Sequence, residues 1–285
     1  MRVVHTNTEL AHAVAQARAA GQRIGFVPTM GALHAGHLSL VEIAAVRAEF
    51  VVVSIFVNPL QFAANEDFGK YPRTLDADTE ALEHTAADLL YAPNAEEVYR
   101  QADGRIDTSI THHAGRAGED FEGAVRPGHF DGMLTVVARL FDLVKPDVAV
   151  FGAKDAQQLF LVRELAAQSY PGLEIVAAPI VREESGLALS SRNRYLSAQE
   201  RIQADSLSKA LRAAAEHRAN GPAKALAAAR DALAQEPTIR LDYLALVDKF
   251  TFEPVPEDFV GVALLLIAAR VGSTRLLDNQ EIDFR

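Results

Sequence analysis

Two apolar runs, Arg23–Thr29 and Phe50–Val57, flank an amphipathic stretch, His37–Ala48. A strand that is apolar on both faces must be covered on both faces, and a helix joining two such strands is the signature of a parallel βαβ unit. That unit fixes the fold class as α/β, a Rossmann-like doubly wound parallel sheet. The alternation continues, predicting helices at Thr74–Thr85, Gly132–Val144 and Ala156–Ser169, and strands at Ala87–Tyr91, Asp147–Phe151 and Leu173–Ile180. Glu9–Ala20 reads as a leading helix stopped by Gly21. Beyond residue 180 the composition shifts to Ala-rich helices, Ala198–Asn220 and Ala223–Gln235. Strands then follow at Leu241–Asp248, Phe259–Arg270 and Thr274–Leu277. The expected organisation is a nucleotide-binding domain over 1–180 and a smaller α+β domain over 181–285. Two long polar connections, 62–71 and 114–128, are candidate lids.

Composition narrows the function. The 285 residues contain no cysteine. Disulfide scaffolds and thiolate chemistry are excluded, and a reducing cytoplasm is the expected location. The opening Met1-Arg2-Val3-Val4-His5 lacks the apolar core of a signal peptide. The longest greasy stretch, Val260–Ala269, is about half of what spans a bilayer. A net charge of −10 argues against a nucleic-acid surface. Anionic substrates would therefore need locally concentrated positive groups.

Polar clusters follow three of the expected strands. They are Met30-Gly31-Ala32-Leu33-His34-Ala35-Gly36-His37, Asn58-Pro59-Leu60-Gln61, and Gly152-Ala153-Lys154-Asp155-Ala156-Gln157-Gln158. Ligands of open α/β sheets bind beyond the carboxyl ends of the strands, so three such clusters point to one shared site. Gly31 and Gly36 have the glycine spacing of a P-loop, but His37 replaces its lysine and the motif fails as a Walker A. The physics is still that of a phosphate site, with small residues and a helix N-terminus offering N–H donors. His34 and His37, three apart, share one side of that first turn and can donate to charge developing on a phosphoryl group. Zinc binding and ordinary surface histidines are the competing readings; no cysteine and no third ligand support zinc. Met30 reads as core packing or as a ligand contact. Lys154 suits phosphates, and Asp155 can bind ribose hydroxyls or cap the following helix. Gln61 and Gln158 can hold hydroxyl or carboxylate groups. Leu189-Ser190-Ser191-Arg192-Asn193, after Gly186, reads as a loop closing on a triphosphate or as a solvated turn.

Taken together, these stretches resemble the pantothenate synthetases, the ATP-dependent pantoate–β-alanine ligases of the His-x-Gly-His nucleotidylyltransferase superfamily. Further matching stretches are Tyr71-Pro72-Arg73-Thr74, Arg126-Pro127-Gly128-His129-Phe130 and Ser190-Ser191-Arg192-Asn193-Arg194-Tyr195-Leu196, with a weaker match at Thr274–Asn279. The resemblance implies that His34 and His37 stabilise adenylyl transfer. It implies that Met30, Gly31, Gly36, Gly152, Asp155, Val181 and Leu189 hold the nucleotide, and that Lys154, Ser190, Ser191 and Arg192 grip its phosphates. It further implies pantoate at Gln61 and Gln158, β-alanine at Gln61 and Asn58, Mg2+ beside ATP with Asp78 on the metal side, and a homodimer. Ala153, Ala156, Ser185 and Leu189 depart from the family pattern, which puts local packing and loop mobility in question.

The expected reaction joins pantoate to β-alanine through a pantoyl adenylate, releasing AMP and diphosphate. A nucleotidyltransferase releasing a stable adenylylated product is the alternative enzyme. A non-catalytic nucleotide sensor is the alternative outside catalysis.

Overall fold

Ile24 and Phe26 face one side of strand β2 (Ile24–Thr29), and Val27 faces the other. In the computed structural model, which describes residues 1–62 and 68–285, both sides are buried. The described residues form two compact units. One comprises Met1–Ala153 with Gln157–Ala178, the other Lys154–Ala156 with Pro179–Arg285.

The N-terminal unit is built on six parallel strands. Besides β2 these are β1 (Arg2–Val4), β3 (Phe50–Ile55), β4 (Leu89–Tyr91), β5 (Val148–Gly152) and β6 (Glu174–Ala178), in the order β1-β4-β3-β2-β5-β6. From β2 the chain order runs outward through β3 and β4, with β1 added at that edge, and from β5 it runs outward to β6. The switch point thus lies between β2 and β5, where a ligand crevice is expected. One sheet face is covered by α1 (Asn7–Ala19), α6 (His129–Val144) and α7 (Ala156–Ser169), which bring Leu10, Val14, Val137, Phe141 and Val162 onto Phe26, Val52 and Phe151. The other is covered by α2 (Ala35–Ala45) and α3 (Leu75–Glu83), through Leu40, Val41, Ala44 and Leu82 on Val27, Val53 and Val150. Short helices α4 (Ala95–Tyr99) and α5 (Glu122–Val125) complete the unit.

The C-terminal unit packs α8 (Ala198–Glu216) and α9 (Pro222–Ala234) on an antiparallel sheet of β7 (Arg240–Asp248), β8 (Val262–Val271) and β9 (Thr274–Asp283), ordered β7-β8-β9. Ser197 and Glu200 cap α8 reciprocally. Among the described residues no helix is long and apolar enough to cross a membrane.

Several expected boundaries move. Helix α2 starts at Ala35 and not at His37, because His34 is its N-cap. Helix α6 starts at His129 and not at Gly132; the glycine sits inside it, where it lets another backbone approach. Strand β9 runs to Asp283, six residues past the expected Leu277, because Asp278 and Asn279 are buried and bonded within the unit. Strand β1 and helices α4 and α5 had no counterpart in the sequence reading. The candidate lid over 62–71 falls partly on 63–67, outside the described residues.

Candidate active site

Strand β2 ends at Thr29, and the loop that follows turns sharply. Gly31 has φ +81° and Ala32 φ +51°, a left-handed pair that favours glycine at both places. His34 then caps helix α2: its Nδ1 accepts the Gly36 N–H at 3.1 Å, and the His37 Nδ1 accepts the His34 N–H at 3.3 Å. This is a capping box built from two histidines, with ring centroids 4.1 Å apart. In the neutral form, a ring whose Nδ1 accepts carries its proton on Nε2. The cap thereby selects the tautomer in which each histidine is an Nε2–H donor.

The loop's backbone behaves differently from the sequence expectation. Gly31 N–H points to the Thr29 hydroxyl, Ala32 and Leu33 donate to Asp78, His34 and Gly36 to the rings, and His37 to the His34 carbonyl. Donors expected to face a phosphate are engaged inside the protein. What the glycines supply is shape: a Cβ at Gly31 would lie 2.9 Å from Asp78 Oδ2 and 3.0 Å from Ile55 Cγ2.

Asp78 is only 3% exposed, and both of its oxygens accept backbone N–H groups. Among the described residues no group of three or more His, Asp or Glu is arranged to hold a metal ion. Magnesium that accompanies a nucleotide is held by one or two carboxylates plus substrate phosphates, so such a cluster is not required; in this structure both Asp78 oxygens hold the histidine loop.

After β3, Asn58 and Gln61 sit on a 3-10 turn, Pro59–Gln61. Asn58 is 1% exposed, and all of its capacity is used. Its Oδ1 accepts from the Leu60 N–H and the Tyr99 hydroxyl, while its Nδ2 donates to Gln61 Oε1 and the Gly132 carbonyl. Asn58 thus orients Gln61, whose Nε2 lies 2.9 Å from Met30 Sδ. The main chain at Gln61 is held as well: Arg126 points to His129 Nε2, which leaves His129 Nδ1–H to donate to the Gln61 carbonyl at 2.9 Å. Burial pushes the Tyr99 phenol well above its usual range, so it stays a proton donor to Asn58.

Gln158 is half-buried in the first turn of α7. Its neighbour Gln157, which sequence reasoning passed over, ties down the glycine-rich connection. Its Nε2 donates to the Ala117 and Asp120 carbonyls, and its Oε1 accepts the Glu122 N–H. The candidate lid at 114–128 is therefore anchored to α7. The signal was the Gln-Gln pair itself; no pattern told which of the two faces inward.

Gly152 ends β5 in the N-terminal unit. In the C-terminal unit, Lys154 Nζ lies 4.0 Å from the exposed Asp155 carboxylate, and Asn279 Nδ2 holds the Lys154 carbonyl at 2.8 Å. Val181 accepts the Leu189 N–H, and Arg182 bridges to Ala188, so 182–189 is a small hairpin. Arg182 pairs bidentately with the buried Asp278, and Arg201 pairs with Glu183. Ser190 caps the 3-10 turn Ser191–Tyr195 by accepting the Arg192 N–H, and Ser191 and Arg192 are half-buried. At the departures from the family pattern, Ser185 bonds Asp205, and Ala156 and Leu189 are buried or half-buried.

Comparison with known proteins follows the same line. Residues 2–281 match the family profile of pantoate-beta-alanine ligase. A pantothenate synthetase of Nocardioides sp. is 52% identical over 284 residues, covering 97% of this chain and 84% of its own. One from Leifsonia xyli is 52% identical over 280 residues, covering 98% and 96%. Among solved structures, pantothenate synthetase from Thermus thermophilus superposes with a TM-score of 0.89 at 46% identity, covering 98% of this chain and 99% of that one. The pantoate-beta-alanine ligase of Francisella tularensis, solved in complex with beta-gamma ATP and beta-alanine, gives 0.77 at 31% identity, covering 98% and 97%.

Proposed function

The chain belongs to the pantoate–beta-alanine ligase family, and on that premise we propose how its residues carry out the ATP-dependent condensation of pantoate with β-alanine. The enzyme is an AMP-forming ligase that makes a carbon–nitrogen bond. A carboxylate does not form an amide at neutral pH, because oxide is too poor a leaving group. A pantoate carboxylate oxygen instead attacks the α-phosphorus of ATP, the bond to the bridging oxygen of the β-phosphate breaks, and diphosphate leaves. The pantoyl adenylate that results is attacked at its acyl carbon by the neutral amine of β-alanine. AMP departs, the nitrogen loses a proton, and pantothenate is formed. No protein nucleophile is needed, so catalysis reduces to positioning, charge stabilisation and exclusion of water from the adenylate.

His34 and His37 are assigned as the donors to charge growing on the α-phosphate oxygens. The observation behind this assignment is their mutual capping, which makes both neutral rings Nε2–H donors at the head of α2. Gln61 presents an amide whose oxygen is bonded to Asn58 and one of whose Nε2 hydrogens points to Met30 Sδ, leaving the second Nε2 hydrogen to bind pantoate. Gln158 is its partner in that role. Asn58 serves the β-alanine side through Gln61, being saturated itself. Family membership assigns Met30, Gly31, Gly36, Gly152, Asp155, Val181 and Leu189 to the nucleotide, the two loop glycines through shape because their N–H groups are engaged, and charge and hydroxyl chemistry assign Lys154, Ser190, Ser191 and Arg192 to its phosphates. Mg2+ belongs to this proposal only as a companion of ATP. A cytoplasmic location, where ATP is supplied, and a homodimer are parts of it too.

His37→Ala is expected to lower pantoate-dependent exchange of diphosphate into ATP by roughly 10²–10³-fold while circular dichroism stays unchanged. An exchange rate near that of the wild type would remove the histidine from the mechanism.

A further inference from the structure

The side chain that shapes the histidine loop comes from a different helix. Asp78 lies in the first turn of α3, buried. Its Oδ1 accepts the Leu33 N–H at 2.8 Å, its Oδ2 accepts the Ala32 N–H at 2.9 Å, and the Thr74 hydroxyl reaches Oδ2 at 3.2 Å. We propose that Asp78 is a positioning residue for adenylyl transfer, holding His34 and His37 in register through the two amides that precede them.

Two consecutive N–H groups aimed at one carboxylate force a concave backbone. Here that includes Ala32 at φ +51°, a conformation costly for a residue with a Cβ. The carboxylate supplies the compensation, since hydrogen bonds to a charged acceptor are about twice as strong as neutral ones. Leu33 is bonded directly to His34. A loop released at 32 and 33 therefore displaces the cap that sets both rings. Gly31 completes the fit, because any side chain there would meet Asp78 Oδ2. The placement also runs against simple electrostatics. A full negative charge beneath a loop assigned to a polyanion opposes binding, so its use is conformational.

The inference rests on the histidine assignment above, and the experiment separates the two. Asp78→Asn keeps the size of the side chain, but its NH2 faces one of the two N–H donors. The full-length variant is expected to lose roughly 10–10²-fold in the turnover of pantoate-dependent diphosphate exchange, the scale of a misplaced catalytic group. The KM for ATP and the Mg2+ concentration giving half-maximal rate should stay within twofold. Amide hydrogen exchange should show lost protection at Ala32 and Leu33, with the β2 and β3 amides still protected. Thr74→Val, which removes only the supporting hydroxyl, should give the same pattern at smaller amplitude and serves if Asp78→Asn does not fold. A several-fold rise in the Mg2+ requirement would make Asp78 a metal ligand and overturn the proposal. Loosened amides with normal turnover would overturn it equally. His37→Ala is run in parallel: an active His37→Ala sinks the histidine reading, whereas an inactive His37→Ala beside a normal Asp78→Asn sinks only this one.

Discussion

Gly132→Ala asks whether the substrate-side loop is positioned by backbone contact with α6. A Cβ on Gly132 would lie 2.0 Å from the Leu60 carbonyl oxygen, 2.4 Å from its carbon and 2.9 Å from the Gln61 nitrogen. All three are backbone atoms, so no rotamer change relieves the clash. An ordinary contact needs about 3.5 Å, so the 58–61 segment and α6 must separate by about 1.5 Å. The Asn58 amide, which donates to the Gly132 carbonyl at 3.1 Å, moves with them, and with it the orientation of Gln61. Overpacking costs about 1–3 kcal/mol, and replacing a helical glycine by alanine returns about 1 kcal/mol. The net loss of stability is thus about 0–2 kcal/mol, a fall of at most roughly 8 °C in melting temperature. A domain with about 5–15 kcal/mol in hand stays folded at 25 °C. Activity should suffer more, because a displacement near 1 Å costs about 10²-fold, or roughly 2.7 kcal/mol in transition-state terms. Coupled AMP release with pantoate and β-alanine varied in turn gives kcat/KM for each, and a thermal melt gives stability. A variant within threefold of wild type on both substrates would refute the claim that α6 sets this loop.

Two other perturbations test separate parts of the fold. Burial acts to raise the pKa of Asp147, but the Ile24 N–H and the Arg18 guanidinium outweigh it and hold the carboxyl below its ordinary 3.8. A depressed carboxylate stabilises above its unfolded-state pKa, and that contribution fades as pH falls through the folded value. Asp147→Asn should therefore be less stable than wild type in urea at pH 7, with the gap closing below about pH 4; a gap independent of pH would contradict this. Gln157→Ala removes three bonds to the 117–122 segment, worth about 1 kcal/mol each. It should speed proteolysis within 114–128 while leaving protection in the β2–β5 core intact, and unchanged cleavage would show that the segment is held by other contacts.

Five of the six parallel strands were legible because they are largely apolar runs, whereas the short edge strand Arg2–Val4 was not, and α7 falls on its expected residues because nothing interrupts Ala156–Ser169. Polar residues used inside the structure were not. Sequence pattern ended β9 at Leu277, yet Asp278 continues the strand because Arg182, 96 positions away, neutralises it. Histidine is outside the usual N-cap set, so the start of α2 was placed late and the reciprocal cap was missed. The candidate residues themselves stood out, since they follow strand ends. Their supports did not: Asp78 reaches Ala32 across 46 positions, and Tyr99 reaches Asn58 across 41. Such partners are chosen by tertiary packing, and no local period encodes them.

The direct test of the chemistry is the fate of an oxygen atom. Pantoate carrying 18O in its carboxylate, turned over with ATP and β-alanine, should deliver one labelled oxygen to AMP, because the carboxylate oxygen that bonds to the α-phosphorus leaves with it. Label recovered in diphosphate or inorganic phosphate, with AMP unlabelled, would contradict attack at that phosphorus and the assignments built on it.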